Sequence, residues 1–187
     1  TATVNRKAIT CPSSPTDKTY SGSEQNSGIT CPTGSTAGGT QKATNANKPT
    51  TSSYSQTCTA NSGYKFASTC SVSWKIKQYT PSITLTPTSG TVNYNSTNTF
   101  KAKVTTINSC LGTLTAASAD TSKVSITGGA SETLTTSTIN TDRTITYKGV
   151  SYTTGTKINV NYASTDADNC ANATQKQYTA SVSRING

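Results

Sequence analysis

Six cysteines, spread through a chain with little apolar residue to bury beside them, set the tightest limit on what this sequence can fold into. Residues 17–35, DKTYSGSEQNSGITCPTGS, hold one tyrosine, one isoleucine and one cysteine, Cys31, among Ser, Thr, Gly and charge. Only 30% of the 187 residues are hydrophobic, so a core of hydrocarbon alone is thin, and thin cores need covalent help. An even cysteine count in such a chain reads as disulfides formed in an oxidising, extracellular setting. Zinc is the competing use of cysteine. The chain has no Cys-x-x-Cys pair and no histidine, which leaves the usual zinc spacings unmet.

Most of the polarity is neutral, because only 12% of the residues are charged. Thr, Val and Ile recur throughout and favour strands. Nowhere do apolar residues repeat at i, i+3, i+4 and i+7 over three turns, so the sequence predicts an all-β chain with almost no helix. The net charge is +9. Residues 1–78 carry eight basic and two acidic residues, and residues 79–187 carry eight and five. The basic residues stand singly, apart from Arg6-Lys7 and the alternations Lys75/Lys77 and Lys101/Lys103. This scatter predicts a solvated basic surface and no nucleic-acid partner; the alternative is contact with anionic cell-envelope polymers or membranes through long-range attraction. No apolar run approaches 18 residues, so membrane insertion is not expected, and the absence of Met suggests a piece of a longer exported protein.

The best domain boundary lies in KQYTPSITLTP, where Thr80-Pro81 interrupts strand pairing. It predicts two β domains, 1–78 and 79–187, joined by about four residues, short enough to restrict bending. In the first, strands are expected at VNRKAITC, GITCPT, SSYSQTCTA and TCSVSWKIK. Turn-rich pieces PSSPTDK, GSTAGGT, NANKPTT and ANSGYKF lie between them. Alternation puts Cys70, Val72, Trp74 and Ile76 on one strand face, and Tyr54, Gln56 and Cys58 on another. In the second, short strands recur from SITLTPT to KQYTASVSR, with Phe100/Ala102/Val104, Val124/Ile126, Ile145/Tyr147, Ile158/Val160/Tyr162 and Tyr178/Ala180/Val182 lining inner faces. That pattern predicts a disulfide-stabilised β-sandwich.

Two resemblances follow. KTYSGSEQNSGITCPTGST…ATNA…SYSQTCTANSGYKFAS resembles the MBG-type repeats of bacterial surface proteins, although Asn47 and an insertion KPTTSS replace the glycine after ATNA. SITLTPTSGTVNYNSTNTFKAKV, then SADTSKVSI and GTKINVNY, is similar to bacterial immunoglobulin-like domains of the group-2 kind. It departs from them in lacking a Trp before the SAD stretch and in having Cys110 and Cys170. The resemblance implies a non-catalytic structural or presentation module, a stalk or adhesin segment, of an exported bacterial cell-surface protein. Its partners would be neighbouring domains of the parent chain, with glycans or host surface proteins as ligands. The alternatives are a carbohydrate-binding module of an exported glycoside hydrolase and a phage virion decoration domain. Six cysteines allow fifteen pairings. Pairing within domains favours Cys11–Cys70, Cys31–Cys58 and Cys110–Cys170, the last expected to tie loops at one pole of the sandwich, and the first two pairs are exchangeable.

Chemistry is sparse. Of seven carboxylates only Asp166 and Asp168 lie close together, in STDADNC, and a calcium loop needs more acids and a glycine. Serine nucleophiles lack a base and a G-x-S-x-G turn, so no catalysis is expected, nor any cofactor. Lysine–asparagine isopeptide cross-links are disfavoured because alternation turns Lys101 and Lys103 outward. Trp74 is expected in the core. Tyr20, Tyr64, Tyr79 and Tyr94 are the candidates for exposed ligand contact.

Overall fold

The structure, a computed structural model, describes residues 5–47 and 53–184 and is all β. Chain contacts divide it into two units, Thr1–Tyr79 and Thr80–Gly187. The insertion after ATNA lies largely outside the described residues.

Unit 1 is built from short pieces: β1 (Lys7–Ala8), β2 (Lys18–Thr19), β3 (Gln25–Asn26), β4 (Ser35–Gly39), β5 (Lys42–Ala43), β6 (Tyr54–Ala60), β7 (Tyr64–Lys65), β8 (Cys70–Trp74) and β9 (Ile76–Lys77). Its main sheet has the order β4-β6-β8, and two-stranded ribbons β1-β7, β2-β9 and β3-β5 surround it. The alternation in β8 appears as burial of Cys70, Val72 and Trp74, with Ile76 buried in β9. Trp74 is 2% exposed, donates its indole N–H to the Thr40 carbonyl at 2.8 Å and lies 4.9 Å from the Tyr54 ring. Gln56, also buried, accepts from Ser27 Oγ and donates to the Ile29 carbonyl, so its amide is satisfied without water.

Several expectations for unit 1 need correction, among them ANSGYKF, expected as a turn, where β7 pairs with β1. Cys31 does not sit in a strand: residues 27–34 are irregular, and Pro32 removes a backbone donor that a ladder would use. The strand forms instead in GSTAGGT, expected as a turn, where β4 pairs antiparallel with β6 from Ser35↔Ala60 to Gly39↔Gln56. Small size explains it. A Cβ at Gly38 would meet Thr57 Oγ1 at 2.9 Å, and one at Gly39 would meet the Ser55 carbonyl oxygen at 2.6 Å. Glycine lets this edge strand approach its partner closely.

Unit 2 contains β10 (Ser82–Thr86), β11 (Ser89–Asn93), β12 (Thr97–Thr105), β13 (Gly112–Ser118), β14 (Val124–Gly128), β15 (Ser131–Thr133), β16 (Asp142–Gly149), β17 (Thr153–Ser164) and β18 (Lys176–Ser183). Two sheets, β10-β12-β16-β14 and β11-β18-β17-β13-β15, enclose one core. The first follows the immunoglobulin order A-B-E-D. The second follows G-F-C, extended by β11 running parallel to β18 and by β15. Strand β15 has no counterpart in the periodicity, since its three residues are defined only by pairing with β13.

The unit 2 core is hydrocarbon and aromatic. Phe100 stacks on Tyr178 with ring centres 4.1 Å apart and 8° between planes, and Tyr147 lies 6.3 Å from Phe100. The hydroxyls of Tyr147 and Tyr178 satisfy each other at 3.0 Å. In unit 1 the corresponding cluster is Cys58, Cys70 and Val72, packed by Cys11, Ile29, Cys31 and Phe66. Four of those seven residues are cysteines, so sulfur makes up much of this cluster, while Tyr20, Trp74 and Ile76 are buried elsewhere in unit 1.

Candidate functional site

Three disulfides join Cys11 to Cys70, Cys31 to Cys58 and Cys110 to Cys170, and no cysteine is free. In unit 1, Cys58 and Cys70 are cross-strand partners of β6 and β8, yet each bonds outward to an irregular segment. The two bridges therefore leave the sheet side by side and hold the flanks of unit 1 against it.

Cys110 and Cys170 lie in the β12–β13 and β17–β18 connections, residues 106–111 and 165–175. They join loops at one pole of the sandwich. Hydrogen bonds reinforce the link. Tyr162 donates its hydroxyl to the Cys110 carbonyl at 2.8 Å, and the Thr165 amide donates to the Leu111 carbonyl at 3.0 Å. A third loop, residues 134–141, is tied in by Asn140. Its amide oxygen accepts from the Thr106 amide at 2.9 Å and its Nδ2 donates to the Thr106 carbonyl at 3.0 Å. Asn140 has φ 60°, a left-handed conformation that asparagine tolerates. It mimics a backbone partner for the end of β12, a role no sequence pattern signals.

Burial pushes the Tyr162 hydroxyl up to about 12 and raises Tyr178 further, with the Tyr147 hydroxyl adding to the shift. A tyrosine in the unfolded chain titrates near 10. Above that pH the unfolded state has lost protons that the folded state keeps, so stability falls with rising pH. The stability these groups contribute is complete below pH 10 and is lost between there and about 12. We expect the urea midpoint of unit 2 to fall across this range, with the tyrosinate absorbance of the buried rings rising only as they unfold. Constant stability throughout the range contradicts this.

The opposite pole presents exposed apolar side chains: Tyr94 at 49%, Val150 at 37% and Tyr152 at 47%. The Arg184 guanidinium lies 4.6 Å over the Tyr152 ring. Of the tyrosines expected to be exposed, Tyr94 is, and Tyr64 and Tyr79 are half-buried. Tyr20 is not. It is 7% exposed, because pairing of β2 with β9 carries it into the sheet, with its amide donating to the Lys77 carbonyl. Tyr152, beside Val150 in a loop, was absent from the expected set.

The carboxylates serve local geometry. Asp166 accepts from the Asn169 amide at 3.2 Å and from its Nδ2 at 2.8 Å, so it closes its own turn. The Ser122 hydroxyl holds the Asp120 carboxyl below the usual range; desolvation opposes it, and the Ser122 backbone amide and the nearby Lys123 charge support it. Asp17, Glu24, Glu132 and Asp142 pair with Lys77, Lys42, Arg143 and Lys101 at the surface. Lys101 is thereby turned outward, away from any isopeptide partner. Among the described residues no group of three or more His, Cys, Asp or Glu converges to hold a metal. No described helix is long and apolar enough to cross a membrane.

No protein-family model matches the chain, and no curated protein matches it. Solved structures resemble it at low identity, three of them as follows. Domains 4 and 5 of the S-layer protein SbsC are 18% identical with a TM-score of 0.38, over 70% of this chain and 65% of that one. Domains 1–6 of the surface layer protein SbsC are 15% identical with a TM-score of 0.41, over 73% and 17%. The Yersinia pseudotuberculosis adhesin InvE is 11% identical with a TM-score of 0.35, over 88% and 56%. The match thus spans less than two thirds of each of these structures.

Proposed function

We propose that this chain is a non-catalytic structural and presentation module of an exported bacterial surface protein, an MBG-type repeat followed by a group-2-like immunoglobulin domain. Its work is to space and display neighbouring domains of a longer parent. The observation that carries this reading is the buried cluster of unit 1 in which four of seven residues are disulfide-bonded cysteines. Such a core persists only where disulfides persist, outside the reducing cytosol. Two features suit a load-bearing or displaying role. Each unit is closed by at least one bridge spanning 59 or 60 residues, which caps its extension under force. The bonded loops of unit 2 form a rigid pole that can carry a contact surface without ordering cost on binding. Six of the seven carboxylates are engaged in surface pairs or turns, which fits a module without acid–base chemistry.

The reading is tested on intact cells of the source organism. Antibody raised against this chain should label them without permeabilisation, and the shed fragment should show all six cysteines blocked to alkylation. Labelling only after permeabilisation, with alkylatable thiols, overturns it.

A further inference from the structure

Two grooves meet on unit 1 beside the Cys11–Cys70 bridge. One, of about 570 Å³, runs along Ile9, Thr10 and Cys11. The other, of about 340 Å³, runs along Arg6, Thr59 and Tyr64. Lys65, Phe66 and Ser68 line both. Their sizes match small-ligand pockets, which span ~300–1,000 Å³. The floor is firm: Phe66 packs on the disulfide cluster, and the Tyr64 ring lies where a side chain on Gly34 would stand, 2.4 Å from that Cβ position. Gly34 has φ 89°, so glycine is required there on both counts.

The charge around the grooves is one-sided. Arg6 and Lys65 line them, and Lys7 stands opposite Tyr64 in the β1-β7 ribbon. Unit 1 has two carboxylates, and both are occupied elsewhere: Asp17 lies 3.0 Å from Lys77 and Glu24 lies 3.1 Å from Lys42. No carboxylate lines either groove. Aromatic faces beside uncompensated cations, with Thr10, Thr59 and Ser68 hydroxyls around them, suit a ring carrying an anion. A neutral sugar would gain nothing from the charge of these exposed cations, whereas an anion would.

We infer that the Arg6–Lys65–Phe66 grooves bind an anionic saccharide, the sugar ring against Phe66 and Tyr64 and its carboxylate or phosphate on Arg6 and Lys65. This inference is independent of the surface assignment. The test uses the full disulfide-bonded chain, ¹⁵N-labelled, with trigalacturonate as the carboxylate probe, a glycerol-phosphate trimer as the phosphate probe and cellotriose as the neutral one. Amides of Ala8, Lys65 and Phe66 should shift with at least one anionic probe at millimolar concentration and not with cellotriose. The response to each anionic probe separates a carboxylate from a phosphate ligand.

The double variant Arg6→Gln/Lys65→Gln should weaken binding at least about tenfold, the loss expected when charge-assisted bonds are removed. The variant Lys157→Gln/Lys176→Gln lowers the net charge equally on unit 2 and should change binding less than about twofold. Both variants replace exposed side chains, and native Trp74 emission confirms that unit 1 is folded. Equal weakening by the two variants, shifts centred on Tyr94 and Tyr152, no response to either anionic probe, or equal binding of a short thymidylate at the same amides each overturns the inference.

Discussion

Replacing Cys11 and Cys70 with alanine unfolds residues 1–79 at room temperature and leaves residues 80–187 folded. The bridge closes 59 residues, and removing such a cross-link costs about 4 kcal/mol of loop entropy. A domain of this size draws roughly 3–5 kcal/mol from its core, so little stability is left. The core here is smaller than usual, since the removed sulfurs are themselves part of it. Trp74 is the only tryptophan and is buried in unit 1, so its emission reports this unit. It should shift to the exposed wavelength in the double variant, while near-ultraviolet tyrosine signals of unit 2 persist. Replacing Cys110 and Cys170 should destabilise unit 2 and leave Trp74 emission native. Native Trp74 emission in the first variant, with an unchanged urea midpoint, would show that hydrocarbon packing suffices for unit 1 after all.

Truncating Phe100 to alanine should cost unit 2 about 3–5 kcal/mol. Phe100 is almost fully buried between the sheets and stacked on Tyr178, so the substitution leaves a cavity and removes the aromatic pairing together. Neighbours cannot close the gap readily. Tyr178 is pinned by its hydroxyl bond to Tyr147, and a Cβ on Gly90 would stand only 2.2 Å from the same hydroxyl oxygen. Tyr178→Phe is the informative comparison. It keeps the ring and strands the Tyr147 hydroxyl, at about 1–3 kcal/mol. Urea unfolding followed by tyrosine fluorescence measures both. A loss below about 1 kcal/mol for the Phe100 variant would mean that the core repacks, contrary to the close packing expected of it.

The long strands of unit 2 were legible because they alternate against one continuous core, and period-two burial survives any choice of neighbour. In unit 1 that rule runs out. Pieces such as Lys7–Ala8 and Lys18–Thr19 are two residues long, too short to alternate, and exist only through the partner they meet. The glycines of β4 read as a turn in sequence because glycine frees the backbone, whereas here its lack of a side chain admits β6. Exposure failed similarly. Tyr20 and Tyr152 look alike in sequence, both next to serine in polar stretches, but one meets a ribbon and the other meets solvent.

By itself the amino-acid order determined the all-β class and an even set of cysteines that could pair, because alternation and cysteine count act locally and need no partner. The sequence favoured the three pairings that form, and tertiary structure decided the two in unit 1 that it left exchangeable, how Asn140 closes a loop and where Arg6, Lys65 and Phe66 line one groove. Alternation could place Cys58 and Cys70 each on a face of its own strand but could not say that the two would stand side by side and each bond to an irregular segment. Those outcomes depend on contacts between residues far apart in the chain, and loop closure sets them through geometry that no short pattern encodes.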